Sequence, residues 1–416
     1  MPPSPPNSHR KLNGTSSRRI FLPTTILIIA ILYKIYLHGF LVLFFNINRV
    51  IQPIEDFPSY ECQKLSHPLL SGCEDIWLDG SGRKLYAACG DIQGRKGWSP
   101  GGNKLNVSAR RGSNWVSVLD IDHPGSDGLY GLRKVKIGNS YTGDLDLHGF
   151  DVKEVDDGVL RFWMINHRPP VNGDTGELLA ADKVGANSTI EIFDLDHSRE
   201  TLEHVKTIVS DAVVSPNNLA VEEDGNGFLI TNDHTRKFGA LKQLEIIAGG
   251  GSVARCRTDS GECRIVAEKG FHMPNGITRG QDGLFYVVQG VAGKISVYEL
   301  VDGEFRRVSE VDTGISMDNL FVDSEGNIIA AAFPDLMGMA RAFDHPEEMA
   351  VATTILRIKK TGEVEGQGQY VVEKVIEDKE GKLLSATTVA AYDVKSRRLF
   401  TGSIITPFIT VCQQRA

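Results

Sequence analysis

Five times along this 416-residue chain a short strand-like segment is opened by side chains suited to holding a hard cation or moving a proton. The openings are Glu74-Asp75, His148, Asn217-Asn218, Asn275 and Asp318-Asn319. Each leads into an apolar run, a tight polar turn and a second apolar run, as between Asn217 and Ile230, where Asp224-Gly225 makes the turn. A sixth copy, from Thr387-Thr388 to Phe400, keeps the strands without the donors. A β unit recurring in this way predicts an all-β fold, a six-bladed β-propeller whose repeats bury one another's faces. The shortest interval, from position 275 to 318, matches the roughly 40–45 residues of a bare four-stranded blade, and the longer ones carry loops. Residues 90–112 and 171–186 are such insertions and belong on a rim, and residues 345–352 suggest a short helix in another. The Gly-His and Trp-Asp signatures of seven-bladed WD propellers do not recur.

A hydrophobic content of 41% suits one large domain. The net charge of −8, with no Lys/Arg block in the bulk of the chain, excludes nucleic-acid phosphates as a partner. The N-terminus sets the compartment. Residues 1–19 are Pro/Ser-rich and basic and read as a disordered cytosolic tail. Residues 20–46 are nearly all apolar, interrupted by Lys34 and His38, and exceed the roughly 20 residues a bilayer requires. Arg10, Lys11, Arg18 and Arg19 precede them, whereas the first acidic residue is Glu55. Positive charge stays cytosolic, so a single-pass signal anchor is expected, with residues 55–416 lumenal or extracellular in the secretory pathway. The apolar stretch is longer than a cleaved signal's core, and no small-residue cleavage site follows Phe45. Asn106-Val-Ser and Asn187-Ser-Thr are then available for glycans.

The six cysteines do not fit zinc spacing, and their even number suits disulfides in an oxidising compartment. A propeller must fasten its first strand to its last or it opens at an edge. Cys62 lies ahead of the first blade and Cys412 at the end of a last strand expected over residues 403–411, so a bond between them would close the ring. Cys256 and Cys263 flank a hairpin turn and could pair locally, as could Cys73 and Cys89 across the first hairpin.

The innermost strand of each blade lines the channel, so donors at one position of successive blades converge near the axis on one face. Glu74 and Asp318 bring carboxylates there, and Asn217, Asn275 and Asn319 bring amide carbonyls. Singly, an Asn or Asp at a strand start is a turn residue bonding its own backbone; placed together in several blades, they make a ligand set. Oxygens of this kind suit Ca²⁺, which takes six to eight and accepts amides, whereas zinc would want His or Cys. His148 occupies the same blade position, and His167 ends the next strand, a hairpin away. An imidazole so oriented is a candidate general base for water. His234 and His272 are read as structural.

These residues resemble the serum paraoxonase/arylesterase family of calcium-dependent lactonases. The resemblance runs through Cys62, Glu74-Asp75, His148-Gly149, Asn166-His167, Pro216-Asn217, the segment Thr231 to His234, Asn275-Gly276-Ile277, Asp318-Asn319 and Cys412, essentially everything after the apolar segment. It implies hydrolysis of small-molecule lactones and aryl esters, with Glu74, Asn217, Asn275, Asp318 and Asn319 holding a catalytic calcium. It further implies that His148 and His167 act as a dyad and that Cys62 pairs with Cys412. A second, structural calcium is held in the family by the acid matching Asp75, the backbone carbonyl matching Phe150 and an aspartate. This chain has Asn218 in place of that aspartate, which removes a negative charge and weakens a hard-cation site. Phe333 replaces a pocket histidine and makes that wall apolar. The rival readings are a gluconolactonase- or regucalcin-like sugar lactonase, whose site lacks paired histidines, and a non-catalytic strictosidine-synthase-like propeller.

Overall fold

Segments that alternate β-branched and aromatic residues between Gly, Asp and Asn turns form the strands expected of them. In the computed structural model, which describes Met1 and residues 16–197, 199–346, 350–364 and 366–415, these strands build six sheets of four or five strands each. The innermost strands are Asp75–Asp79, Leu147–Asp156, Pro216–Val221, Pro274–Arg279, Ser316–Val322 and Val389–Asp393. Each touches the next and the last touches the first, so the ring is closed. The six-bladed propeller read from the repeat is therefore the fold.

The core lies between blades rather than within one. Trp163, Ile165 and Ile192 of the second blade pack against Leu219, Phe228 and Ile230 of the third. A strand sandwiched this way is buried along its whole length, as Gly227–Asn232 is, and its centre reads as the apolar run Phe228 to Ile230.

Closure is made by a strand that the repeat does not announce. Tyr60–Ser66 adds to the outer edge of the sixth blade, antiparallel to Phe408–Gln414, with Cys62 directly opposite Cys412 and disulfide-bonded to it. Cys73–Cys89 and Cys256–Cys263 are the other two disulfides. The last strand starts later than residue 403, because Pro407 has no N–H to give a ladder.

Both insertions lie on one rim. Residues 90–112 contain a helix, Ile92–Gly97, and a small hairpin of Trp98–Ser99 with Lys104–Leu105. Ala181 and Ala186 of the second insertion pack on Trp98. The helix expected over residues 345–352 is instead Leu336–Asp344, capped by Asp335 accepting from Gly338 N at 2.8 Å. Pro346 disfavours helical backbone at His345, and residues 347–349 lie outside the described residues. A further helix, Ala240–Ala248, is fastened by buried Lys242, whose Nζ donates to Pro100 O at 2.7 Å and Ser215 Oγ at 3.0 Å.

The N-terminal apolar run is helical but divided: Ser16–Leu32, a π-helical turn at Tyr33–Leu37, then His38–Phe44. Among the described residues no helix is long and apolar enough to cross a membrane. Of the expected tail, residues 2–15 lie outside the described residues. The end of the helical run rests on the propeller, and the Arg49 guanidinium donates to Gly314 O.

Candidate functional site

Four inner strands break register at the same point. Pairing slips between Pro216 and Leu219, Pro274 and Ile277, Met317 and Leu320, and opposite Leu147 to Phe150 in the second blade. Asn217-Asn218, Asn275-Gly276, Asp318-Asn319 and His148-Gly149 sit in these interruptions. A bulge re-aims side chains that regular alternation would send to opposite faces, and here it turns them into the channel. The first and sixth blades pair there without a slip. Adjacent bulges nearly touch. A Cβ on Gly149 would lie 2.5 Å from Asn217 O, and one on Gly276 2.6 Å from Asp318 O. Only glycine fits at either position.

The result is a buried cluster on the axis comprising Glu74, His148, Asn217, Asn275, Asp318 and Asn319. Glu74 Oε2, Asn217 Oδ1 and Asn275 Oδ1 are buried and accept no hydrogen bond among the described residues. The Asn275 carboxamide lies beside the Asp318 carboxylate. Burial, reinforced by the neighbouring charge of Glu74, pushes the Asp318 carboxyl well above the ordinary carboxylate range. Asn319 differs from its neighbours: its Nδ2 donates to Glu74 Oε1 at 2.8 Å, and its Oδ1 accepts from Asn218 Nδ2 at 2.7 Å. Among the described residues no three His, Cys, Asp or Glu side chains gather as a metal cluster. The donors assembled here are two carboxylates mixed with carboxamides.

His148 and His167 come together as read from the sequence, with ring centres 5.1 Å apart. His148 Nε2 lies 3.4 Å from Asn217 Nδ2, which makes it the acceptor of that pair, and 3.8 Å from Glu74 Oε1. His167 Nδ1 is held by Ser188 Oγ at 2.9 Å, a contact that no sequence pattern signalled. His148 Nδ1 and His167 Nε2 have no hydrogen-bond partner among the described residues. Burial lowers the pKa of both imidazoles, and for His167 the adjacent His148 lowers it further, so both rings are neutral at neutral pH.

The cluster floors a cavity of about 310 Å³. Its walls are apolar: Phe44, Val291, Met317, Phe333, Leu336, Met339 and Phe343 line it. Asp233 and His234 also line it. Asp233 Oδ1 holds His234 Nδ1 at 2.8 Å and accepts from Ser215 Oγ at 2.5 Å. His234, read as structural from the sequence, thus reaches the site with its Nε2 unpaired.

Asp75, Phe150 and Asn218 meet just beyond the cluster, toward the other end of the channel. Asp75 Oδ2 accepts from Phe150 N at 3.0 Å and Asn218 Nδ2 at 3.3 Å, and Oδ1 accepts from Ile76 N at 2.9 Å. Burial and then Glu74 push this carboxyl, too, well above its ordinary value. Asn106 is exposed and Asn187 half-buried.

Among proteins of similar sequence, human serum paraoxonase/arylesterase 1 is 29% identical over 230 residues, which is 55% of this chain and 61% of the relative. Human serum paraoxonase/lactonase 3 is 25% identical over 318 residues, 76% of this chain and 79% of the relative. Mouse serum paraoxonase/arylesterase 1 is 24% identical over 365 residues, 86% and 90% respectively. The match thus spans less than two thirds of the human arylesterase's own length. Of solved structures, a gluconolactonase from Xanthomonas campestris superposes with a TM-score of 0.46 at 16% identity, over 87% of this chain and 93% of that one. A luciferin-regenerating enzyme gives 0.47 at 12% identity, over 85% and 95%. The arylesterase family model matches residues 150–411, more than half of the chain. The chain therefore belongs to the arylesterase family.

Proposed function

We propose that the chain is a calcium-dependent hydrolase of lactones and aryl esters whose acyl portion is apolar. The observation that carries this reading is the set of orphaned buried oxygens, Glu74 Oε2, Asn217 Oδ1 and Asn275 Oδ1, beside a neutral imidazole at the floor of an apolar cavity. Buried polar atoms without partners are rare and costly, and carboxylate with carboxamide oxygens is the donor chemistry that Ca²⁺ selects. The residues therefore fit the ion, which Glu74, Asn217, Asn275 and Asp318 would hold while Asn319 steadies Glu74. When bound, Ca²⁺ supplies Lewis acidity toward an ester carbonyl, on the order of several kcal/mol of transition-state stabilisation.

His148 Nε2 takes the proton of the water that adds to the carbonyl carbon. Glu74 Oε1, 3.8 Å away, stabilises the imidazolium so formed. His167, fixed by Ser188, is the neighbour that orients the ring. The proton then goes to the alkoxide or phenoxide as the tetrahedral adduct collapses, so one group acts as base and then as acid. Phe333, Leu336 and Met339 hold the acyl portion and keep bulk water off the reacting carbon.

A sugar lactone, with a hydroxyl on nearly every carbon, would leave those groups unpaired against this wall, which disfavours the gluconolactonase-like reading. A purely structural propeller would leave the unpaired imidazole nitrogens unexplained. The test is a panel of γ- and δ-lactones with alkyl tails of graded length, phenyl acetate and gluconolactone, with EGTA and after Ca²⁺ is restored. Turnover of the alkyl lactones and phenyl acetate that vanishes with chelation is expected, and Asn217→Ala and Asp318→Ala abolish it. Full activity in the chelated sample refutes the calcium role, and a preference for gluconolactone refutes the apolar acyl portion.

We further propose that the N-terminal helical run attaches the chain to a membrane of the secretory pathway. The basic residues ahead of it support this, and so do three disulfides, which require an oxidising compartment. Retention in the pellet after alkaline carbonate extraction, with a glycosidase-sensitive mass shift lost in Asn106→Gln, is the expected outcome. Release into the supernatant refutes it.

A further inference from the structure

The pair Asp75 and Asn218 stands where the family pattern has two carboxylates around a second calcium. We infer that this chain carries one calcium ion rather than two, because the side-chain amide of Asn218 takes the place of the second cation. The inference rests on the calcium reading proposed above and concerns the other end of the same channel.

Asn218 Nδ2 donates both to Asp75 Oδ2, at 3.3 Å, and to Asn319 Oδ1, at 2.7 Å. An amide nitrogen carrying partial positive charge thus joins the Asp75 carboxylate to the Asn319 carboxamide, at the position where the family pattern has a second carboxylate. Its orientation is pinned, since Asn218 Oδ1 accepts from Leu219 N at 2.7 Å. Reversing the amide to offer oxygen to a cation would set Nδ2 against that N–H and leave both donors unpaired in a buried site. The Asp75 carboxylate is also engaged by the backbone. Phe150 turns its N–H toward Asp75, and Ile76 N takes the other carboxylate oxygen. Ca²⁺ requires six to eight oxygens, and this set has one carboxylate, which already accepts from three donors.

Access is not the obstacle. Asp75, Phe150 and Asn218 line a cavity of about 240 Å³ that also holds Asp151 and Lys153, so an ion could arrive. The donor set is what excludes it. The substitution instead makes a chain of bonds, Asn218 to Asn319 and Asn319 to Glu74, which holds Glu74 in place without a second ion.

The experiment counts calcium per chain. The full-length protein, stripped with EGTA, is titrated with CaCl₂ by calorimetry and analysed for metal after desalting. One equivalent is expected. Asn218→Asp restores the second carboxylate and is expected to bind two, whereas Asn218→Ala stays at one and melts at a lower temperature, since Asn319 Oδ1 loses its donor and Asp75 loses one of three. Two equivalents in the unaltered chain overturn this inference and leave the calcium-dependent reading intact; none overturns both. A count of one in folded Asn218→Asp overturns the role assigned to the amide. Should that variant not fold, the count in the unaltered chain decides.

Discussion

At the residue scale, chemistry is divided between atoms that are satisfied and atoms that are not. Most buried polar groups here are paired, as expected of a folded chain, so the orphaned oxygens and ring nitrogens on the axis mark where something else must bind. His148→Gln keeps the amide-sized shape but cannot take a proton. Its kcat/KM is expected to fall by roughly 10²- to 10⁴-fold, with calcium affinity retained; unchanged turnover removes His148 as the base. Phe333 forms part of the acyl wall at the end of Ile328–Phe333. Phe333→His should cut kcat/KM for long-tailed lactones relative to short ones, by on the order of tenfold, since each methylene moved out of an apolar contact costs about 0.8 kcal/mol. A parallel decline for all tail lengths would mean that Phe333 does not touch the tail.

Elements set where these residues point. Asn217 and Asn218 are adjacent in one strand, and simple alternation would send one to the channel and the other away. The register slip lets both serve the axis: Asn217 faces the first cluster, and Asn218 reaches Asp75 and Asn319. Tight approach of neighbouring inner strands makes Gly149 obligatory, since its added Cβ would meet Asn217 O at 2.5 Å and Asn218 Cα at 2.7 Å. Gly149→Ala must push apart the two strands that carry His148 and Asn217. A loss of about 1–3 kcal/mol in stability is expected from such overpacking, measured by denaturant unfolding, together with weakened calcium binding. An unchanged midpoint and metal affinity would show that the strands separate freely.

Across the whole molecule, the ring is only as strong as its seam. The Cys62–Cys412 bond spans 350 residues of sequence, and the chain-entropy treatment assigns such a loop about 5 kcal/mol, usually an upper value. The double variant Cys62→Ser, Cys412→Ser should melt several degrees lower; an identical melting curve would mean that the strand pairing alone closes the ring. The Arg83 guanidinium reinforces the first-to-sixth blade contact with bonds of 2.9 and 2.6 Å to Asp393. Burial would raise the Asp393 carboxyl, but Arg83 and Ser396 outweigh it and hold it at about 2. A carboxyl lowered in the folded state stabilises fully above its ordinary value of 3.8, and that contribution is lost as pH falls toward 2. Thermal melts between pH 7 and pH 3 should therefore show a smaller acid loss in Asp393→Asn than in the unaltered chain. Equal losses would mean that Asp393 does not act at the seam.

The repeat of strand, turn and strand was enough to read six blades, because a unit with two apolar faces has no stable arrangement except against copies of itself. Glu74, His148, Asn217, Asn275 and Asp318 were legible for the same reason: equivalent positions in a ring meet at its axis. The closing strand Tyr60–Ser66 has no repeat to announce it, and helix Leu336–Asp344 is short enough that only its cap and its packing define it. Ser188 behind His167, His234 at the cavity wall and the Asn218 bridge depend on contacts between residues far apart in sequence. Composition and spacing determine which donors reach the axis, whereas only the folded backbone, with its slipped registers and glycine contacts, decides which of their atoms stay free to bind.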